Sequence, residues 1–509
     1  MELKREEKQL NFCENVCDIA TEQAVDADLS FPDYCPDIVR VLSCTVETGV
    51  SSVAVTGGRI TADCKATVRL IYVGPDEQLA AYDYETAFQA SVDEKKADKS
   101  CAVSVKLKAD YVNCRAVSPR RAEVHASLTC RFRADRMRGE SVLSAVEGAG
   151  IQFASGTAQT VQIIGKTVRY FPMSEVAALE ENRAGIAGLI SVCAEAEKGD
   201  IKVINNKLLL KGRLNVRVFY LGEDGSVSLF EHTMPLSQIM EMEGLTENAV
   251  WNLELSPSCV EVLPKADSSG AVRLMDISAA VEATLSACAP VEIPLIHDMY
   301  STAYELKTES RALELCRYLG SIQDRTAVKS TVSAAGSGIE CVLAAYSGKP
   351  TAFVTVGGGY CTVNGSFEVS FLCRGAEGAP VFLQRTLDYE YKTPWEQEAQ
   401  RFKSNLFAAV RCLSCAVPRT DTVEVKAEVE ISASLFAAGS APYIASVTAE
   451  TEKSAENAPA LTVYYSEPGE SVWSIAKRYG TTVQSIAEQN GLEDDTVKDG
   501  GMLLIPGAV

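Results

Sequence analysis

The feature that most constrains the fold of this chain is an internal repeat with a period of about 150 residues. Three segments in which apolar and polar residues alternate align on the reference positions Cys64, Gly212 and Gly365. Alternation with period two is the pattern of a half-buried β-strand. In all three copies an apolar run begins 26 residues before the reference position, and a glycine follows ten residues after it. A period this long indicates tandem domains rather than a solenoid of short repeats.

Each copy consists mainly of strands separated by polar turns, and this pattern predicts a mainly β fold. We expect three tandem β-rich, sandwich-like domains and a small C-terminal βααβ module. The predicted domains span residues 1–145, 155–305 and 306–440, followed by a semi-flexible linker at 441–460 and the module at 461–509. We also expect Val68, Val216 and Val369, which occupy one register position of the repeat, to lie on equivalent strands of superposable domains.

Long, flat sheet edges are a further consequence of strands rich in alanine and valine. Such edges can template pairing with another chain unless they are protected. The alternative is that charged side chains or neighbouring copies cover them, and the sequence leaves both possibilities open.

Charge and composition exclude several classes of protein. The net charge of −20 argues against nucleic acid or an anionic membrane surface as the main partner. The N-terminal segment lacks the apolar stretch of a signal peptide, and the absence of any run of 18 apolar residues predicts no transmembrane insertion. The 17 cysteines are odd in number and scattered through apolar strand patterns, so we expect free thiols in a reducing cytosol. Cys412 and Cys415 form the only CxxC pair and the three histidines are isolated, so we expect no bound metal.

The most specific motif lies in residues 462–508. It comprises a short strand at 463–465, Pro-Gly-Glu-Ser-Val-Trp-Ser-Ile-Ala at 468–476, Gln-Asn-Gly-Leu at 489–492 and Gly-Gly-Met-Leu-Leu-Ile-Pro at 500–506. Apolar residues recur at helical spacing in two segments, with Ser471 placed to cap the first helix and Gly491 to end the second. This arrangement resembles the LysM domain, with mild departures at residues 470–472, where LysM domains more often have Asp, Thr and Leu.

In LysM domains a glycan lies in a shallow groove between the loop before the first helix and the loop after the second. The resemblance places this groove, for a protein partner or a glycan, at Gly469, Glu470, Ser471, Val472, Trp473, Asn490, Leu492, Glu493, Asp494 and Asp495. Trp473 is either a stacking platform for a sugar or a half-buried core aromatic. The module has a formal charge of −4, and its acidic run at 493–495 favours steering of a basic protein patch over binding of a neutral sugar chain.

Two other segments resemble SPOCS domains, which occur in endospore-forming bacteria. Residues 31–38, Phe-Pro-Asp-Tyr-Cys-Pro-Asp-Ile, match the Pro-x-x-x-Pro-Asp-Ile signature, and residues 298–304 look like the Asp-x-Tyr-Ser-Thr-x-Tyr stretch of the same proteins. Copies two and three lack the Pro-Asp pair and are assigned through the internal repeat. Three SPOCS-type domains followed by one LysM resemble the clostridial spore-coat morphogenetic proteins. The resemblance implies a mother-cell cytosolic protein at the forespore surface, with the LysM bound to the morphogenetic ATPase of the coat and with other coat proteins as partners.

An enzyme and a peptidoglycan-binding protein are the two alternatives to an adaptor. An enzyme is disfavoured because the chain has no phosphate-binding loop, no His-Glu-x-x-His and no Gly-x-Ser-x-Gly. The glycine run at 357–359 is typical of a turn, and Glu396 and Glu398 are expected on a solvated helix face. We therefore expect no catalytic residues and no cofactor. The second alternative, a cell-envelope protein that holds peptidoglycan glycan chains through its LysM, conflicts with the missing export signal and with the single copy of a weakly binding module.

Overall fold

The computed structural model describes residues 3–334, 338–397, 399–419, 421–453, 459–492, 496–497 and 500–507. Strand pairing within them falls into four separate segments: three β units at residues 4–147, 151–301 and 304–452, and a C-terminal module at 461–506. The predicted mainly β fold is confirmed. Of the described helices, none is long and apolar enough to span a membrane.

The three units share one strand order. The first consists of β1 (Lys4–Ser30), β2 (Arg40–Thr56), β3 (Arg59–Val73), β4 (Leu79–Asp93), β5 (Ala102–Ser118) and β6 (Arg121–Glu147), in antiparallel sheets ordered β1-β6-β5 and β2-β3-β4. The second consists of β7 (Ile151–Ala178), β8 (Ile186–Ile204), β9 (Lys207–Gly222), β10 (Val227–Glu241), β11 (Val250–Ala266) and β12 (Val272–Ser301), in sheets ordered β7-β12-β11 and β8-β9-β10.

The third unit differs only in that its second strand is split. It consists of β13 (Tyr304–Ser333), β14 (Cys341–Ser347), β15 (Thr351–Gly357), β16 (Tyr360–Arg374), β17 (Pro380–Pro394), β18 (Phe402–Arg419) and β19 (Thr422–Glu452). One sheet has the order β13-β19-β18, and in the other β14, β15 and β17 all pair with β16. Short 3-10 turns at Pro75–Glu77 and Ala376–Gly378 occupy equivalent connections of the first and third units.

Each unit is a sandwich whose core lies between its two sheets. The core of every unit is lined by side chains from both sheets. Val68, Val216 and Val369 lie on β3, β9 and β16, the middle strands of the corresponding sheets, and all three are fully buried. The prediction that they occupy equivalent strands is confirmed, because alternation with period two places the same register positions on the inner face of each copy.

One strand pair in each unit extends far beyond its sandwich as a two-stranded ribbon. The ribbons are formed by β1 with β6, β7 with β12 and β13 with β19, and their registers run from Lys4↔Glu147, Ile151↔Ser301 and Tyr304↔Glu452 at the free ends. A hydrophobic cluster there takes two residues, three apart, from each unit: Leu143, Val146, Ile296, Met299, Ile444 and Val447. The three ribbons therefore share a core that belongs to no single unit.

The sandwiches also surround a common centre. Leu42, Ile190 and Leu343, each 22 residues before its reference position, pack in one cluster. The edge strands β4, β10 and β17 lie against β8, β14 and β2 of the next unit, so that the three units close a ring. Arg40 of β2, for example, donates from Nη2 to the carbonyl oxygen of Pro380 on β17 at 3.3 Å. The sequence left open whether the sheet edges are free to pair with another chain or are covered. For the three edge strands β4, β10 and β17 the second possibility holds, because neighbouring units cover them.

Two sequence-based expectations differ from the structure. Residues 441–452, predicted to belong to a linker, form the end of β19, where Tyr443 and Ile444 are buried in the shared ribbon core. Glu396 was expected on a helix and instead lies in an irregular segment after β17, exposed to solvent, while Glu398 lies outside the described residues. The domain boundaries as a whole stay a prediction.

Candidate binding site at the C-terminal module

The C-terminal module is a two-stranded sheet covered on one face by two helices. It consists of β20 (Leu461–Ser466), β21 (Glu470–Ser471), α1 (Val472–Tyr479), α2 (Val483–Asn490), β22 (Thr496–Val497) and β23 (Gly501–Pro506). Val472, Ile475 and Ala476 recur at helical spacing and are buried together with Ile486 and Leu503. This is the βααβ arrangement predicted for the module.

The helix ends follow the sequence signals with one exception. Gly491 ends α2 in the left-handed conformation at φ 61°, as expected. Thr482 caps α2 by accepting from the backbone N–H of Ser485 at 3.0 Å. Ser471 occupies the N-cap position of α1, but its side chain accepts no capping hydrogen bond from the described backbone. The expected Ser471 cap is therefore wrong, and extended backbone alone begins the helix there.

The two loops assigned to the groove are joined to each other by backbone hydrogen bonds. β21 pairs with β22 through Glu470↔Val497 and Ser471↔Thr496, and the N–H of Gly469 donates to the carbonyl oxygen of Val497 at 2.7 Å. Glu493, Asp494 and Asp495 lie outside the described residues. Within the described residues of the two loops, the backbone groups through which β21 and β22 face each other are thus already hydrogen-bonded.

Several side chains assigned to the groove have partners inside the module. The Glu470 carboxylate accepts from the hydroxyl of Tyr464 at 2.8 Å, an interaction that raises the pKa of Tyr464, and lies 3.6 Å from Arg478. Val472 is buried in the module core, and Leu492 packs against it. Glycan or protein contact by these residues stays a prediction.

Asn490 has a structural role that its sequence motif did not reveal. Its carboxamide nitrogen donates to the carbonyl oxygens of Ile486 at 2.8 Å and Leu504 at 2.7 Å, and its oxygen accepts from the N–H of Leu504 at 2.7 Å. Both backbone groups of Leu504 are thereby satisfied, as a neighbouring strand would satisfy them. Asn490 therefore fastens the end of α2 to β23.

Trp473 lies at a contact between the module and the second β unit. Its indole N–H donates to Oδ2 of Asp298 on β12 at 2.8 Å, and its ring meets that of Tyr300 edge-on, with centroids 5.0 Å apart. Lys477 donates to the other oxygen of Asp298 at 2.5 Å, and the hydroxyl of Tyr300 donates to the carbonyl oxygen of Thr481 at 2.8 Å. Trp473 is half-buried here, so the structure lies nearer the core-aromatic interpretation than the stacking platform.

The electrostatics of this contact favour the charged form of Asp298. Partial burial opposes ionisation, but the hydrogen bonds from Lys477 and Trp473 outweigh it and hold the pKa of Asp298 below its usual value. Residues 298–304 stand out in the sequence as a motif, but the sequence does not connect them to the module. Nothing in the local pattern could have done so, because Asp298 and Trp473 are 175 residues apart.

A second cluster of charges, in the β units, is structural. Arg69 is 3% exposed and donates to Glu47 at 2.9 Å and to Asp83 at 2.8 Å, which leaves its guanidinium paired on both sides. At the equivalent position of the second unit Arg217 pairs with Glu195 at 3.1 Å. In the third unit the position is held by Ser370. A pairing repeated in two copies on the same strand points to stability rather than to catalysis.

Comparison with known families agrees with this architecture. A family model described as the SPOCS domain of SipL matches residues 37–117 and 186–261, and the LysM domain model matches residues 467–506. A search of curated proteins found no match. The two SPOCS segments cover β2 to β5 of the first unit and the corresponding strands of the second. The suspected SPOCS domains of the first and second units and the LysM domain are confirmed, while the SPOCS assignment of the third unit stays a prediction that rests on the internal repeat. Together the confirmed domains indicate a sporulation-related protein with a peptidoglycan-binding type of module, built from families that are generally non-catalytic.

Proposed function

We propose that this chain, in which SPOCS domains are joined to a C-terminal LysM domain, is a non-enzymatic adaptor in spore-coat assembly. It lies in the mother-cell cytosol at the forespore surface. Its LysM module binds the ATPase that polymerises into the basement layer of the coat, and its β units hold other coat proteins. The adaptor thus tethers those proteins to the basement layer.

The observation that carries this proposal is the environment of Trp473. An aromatic side chain that stacks on a sugar needs an open face, whereas Trp473 is half-buried, edge-on to Tyr300 and hydrogen-bonded to Asp298. A single LysM copy also lacks the avidity by which weak glycan contacts are usually strengthened. A protein partner with a basic patch fits the negative charge of the module better than a neutral glycan does.

The second candidate function is binding of peptidoglycan, and the match to the LysM family favours it. In this case the protein is a cell-envelope component, and the groove at residues 469–473, 490 and 492–495 holds a glycan chain. The β units then serve as a scaffold.

One experiment separates the two functions. The tagged full-length chain and a chain lacking residues 461–509 serve as baits in a lysate of sporulating cells, and bound proteins are identified by mass spectrometry. In parallel, both are mixed with purified peptidoglycan and sedimented. The adaptor predicts capture of the coat ATPase only when the module is present. Micromolar binding to peptidoglycan without any module-dependent protein would establish the second candidate.

A charge-reversal variant sharpens the test. Replacing residues 493–495 by lysine should slow association with the ATPase, because these acids steer a basic partner, and the effect should shrink at high salt. Glu488→Lys, at an exposed position on α2, is the control for one charge reversal outside the acidic run, and it is compared with the single reversals at residues 493–495, each of which changes the net charge by the same amount. Equal association rates for Glu488→Lys and the single reversals would contradict the steering role of the acidic run.

A further inference from the structure

We propose that Asp298 and Tyr300 form a docking site, at the end of the second ribbon, that holds the LysM module of the same chain through Trp473. The site is an interaction surface with an identified occupant. It would operate whichever coat partner the module binds, so it goes beyond the proposed adaptor function.

The contact combines apolar burial with satisfied polar groups. Tyr300 is 5% exposed and belongs to the same hydrophobic cluster as Val472 and Ile475 of the module. Around this centre, both carboxylate oxygens of Asp298 and the hydroxyl of Tyr300 have partners on the module. A buried aromatic surrounded by paired polar groups is the anatomy of a specific interface.

The three ribbon ends are not alike at these positions. Val146, Met299 and Val447 are equivalent because each lies in the shared core three residues after another buried member. The residue before each is Ala145, Asp298 or Ser446, and the residue after each is Glu147, Tyr300 or Thr448. Only the second ribbon therefore carries a carboxylate followed by an aromatic at these two positions. Of the three similar ribbon ends, one therefore has the side chains that contact the module.

The connection to the module starts beside this site. Lys453, the first residue after β19, donates from Nζ to the carbonyl oxygen of Ser301 at 2.7 Å, and its N–H donates to the carbonyl oxygen of Ala303 at 2.9 Å. In the sequence only residues 454–460 separate Lys453 from β20. So short a connection gives the module an effective concentration in the millimolar range at the site, which makes even a modest contact populated.

Docking affects ligands of the module differently, according to whether they need the side of Trp473 that meets the second ribbon. A ligand that needs the side of Trp473 in contact with Asp298 and Tyr300 must first displace the module from them. A partner that avoids this side of Trp473 binds the docked module in one fixed orientation. A ligand of the first kind binds only undocked molecules, so its apparent affinity is its intrinsic affinity multiplied by the undocked fraction.

Hydroxyl-radical footprinting of the full-length chain tests the proposal, because Trp473 and Tyr300 lie on opposite sides of the contact. Asp298→Lys places a positive charge against Lys477 and should release the module. Both rings should then oxidise several-fold faster, because the oxidation rate follows the exposed fraction of a side chain, which is only 5% for Tyr300 while the module is docked. Trp251 and Trp395 serve as internal references. The matched control is Glu147→Lys, the same reversal on an exposed carboxylate of the first ribbon end.

Hydrogen exchange of β20 and β23 distinguishes release from unfolding. Unchanged exchange there together with faster oxidation of both rings supports docking. If Trp473 and Tyr300 oxidise at the same rates in the parent and in Asp298→Lys, the module is not held at this site. If exchange of β20 and β23 rises as steeply as oxidation, the charge reversal unfolds the module, and the docking proposal is overturned.

Discussion

Replacing Asn490 by alanine should unfold the C-terminal module rather than remove a ligand contact. The substitution deletes three hydrogen bonds, and it leaves both the N–H and the carbonyl oxygen of Leu504 without the carboxamide that satisfies them. The sequence motif alone had placed Asn490 in the ligand groove. The two roles predict different outcomes for the same variant.

The expected loss is a large part of the stability of the module. At roughly 1 kcal/mol for each hydrogen bond, the free energy of unfolding should fall by about 2–3 kcal/mol. A module of under 50 residues has a free energy of unfolding of only about 2–7 kcal/mol by itself. Asn490→Asp should be no milder, because a carboxylate cannot donate to the carbonyl oxygens of Ile486 and Leu504.

The assay is urea unfolding of the full-length chain, followed by hydrogen exchange of peptides that cover residues 461–492. The midpoint for these peptides should fall in Asn490→Ala, while the peptides of the β units keep theirs. Gln489→Ala, at the exposed neighbouring position, is the control and should leave the midpoint unchanged. An unchanged midpoint in Asn490→Ala combined with weaker partner or glycan binding would refute the structural role.

Three further outcomes follow from buried and charged groups. Arg69→Met should lower the free energy of unfolding of the first unit by about 1–3 kcal/mol in urea, since it removes the partner of two carboxylates that are only partly exposed, whereas Arg59→Met at an exposed pair should cost little. The pKa of Asp298 is lowered when the module is docked, so the contribution of Asp298 to docking is complete above about pH 4 and is lost as the pH falls through the lower pKa of the docked state. The oxidation rate of Trp473, measured at decreasing pH, should rise as this contribution is lost, and Asp298→Asn should abolish the pH dependence. Burial raises the pKa of Cys64 to about 11 and that of Cys373 to about 12, so a thiol reagent at pH 8 should modify the exposed Cys412 before these two. Thiol titration after denaturation should count close to 17 thiols, and a shortfall by several pairs would indicate disulfides.

The sandwiches could be predicted because their signal is local and repeated. Alternation with period two placed Val68, Val216 and Val369 on inner faces, and the turn residues separated the strands correctly. The helices of the module followed from apolar spacing and from Gly491. In each case the physical cause, a half-buried surface or a left-handed helix end, acts within a few residues of the pattern that reveals it.

The ribbons could not be predicted because their cause is tertiary. Gly439-Ser-Ala-Pro442 has the composition of a linker, yet the segment continues β19, since β13 supplies a strand partner and two other units bury Tyr443. β19 reaches 31 residues for this reason, far beyond an ordinary strand. The contact between Asp298 and Trp473 was missed for the same reason, since it exists only once the second ribbon and the module have folded.

The pairing of β1 with β6 has a consequence for synthesis on the ribosome. The first strand emerges long before its partner, and at about 5–20 residues per second it waits on the order of 10 s without one. Its opening residues, Lys4-Arg-Glu-Glu-Lys8, are all charged, and acidic side chains recur to Asp28, which discourages aggregation of an unpaired strand. β7 has fewer charges but emerges after the first ribbon, against which it packs. Neutralising the charges of β1 would therefore harm the nascent chain more than the finished fold.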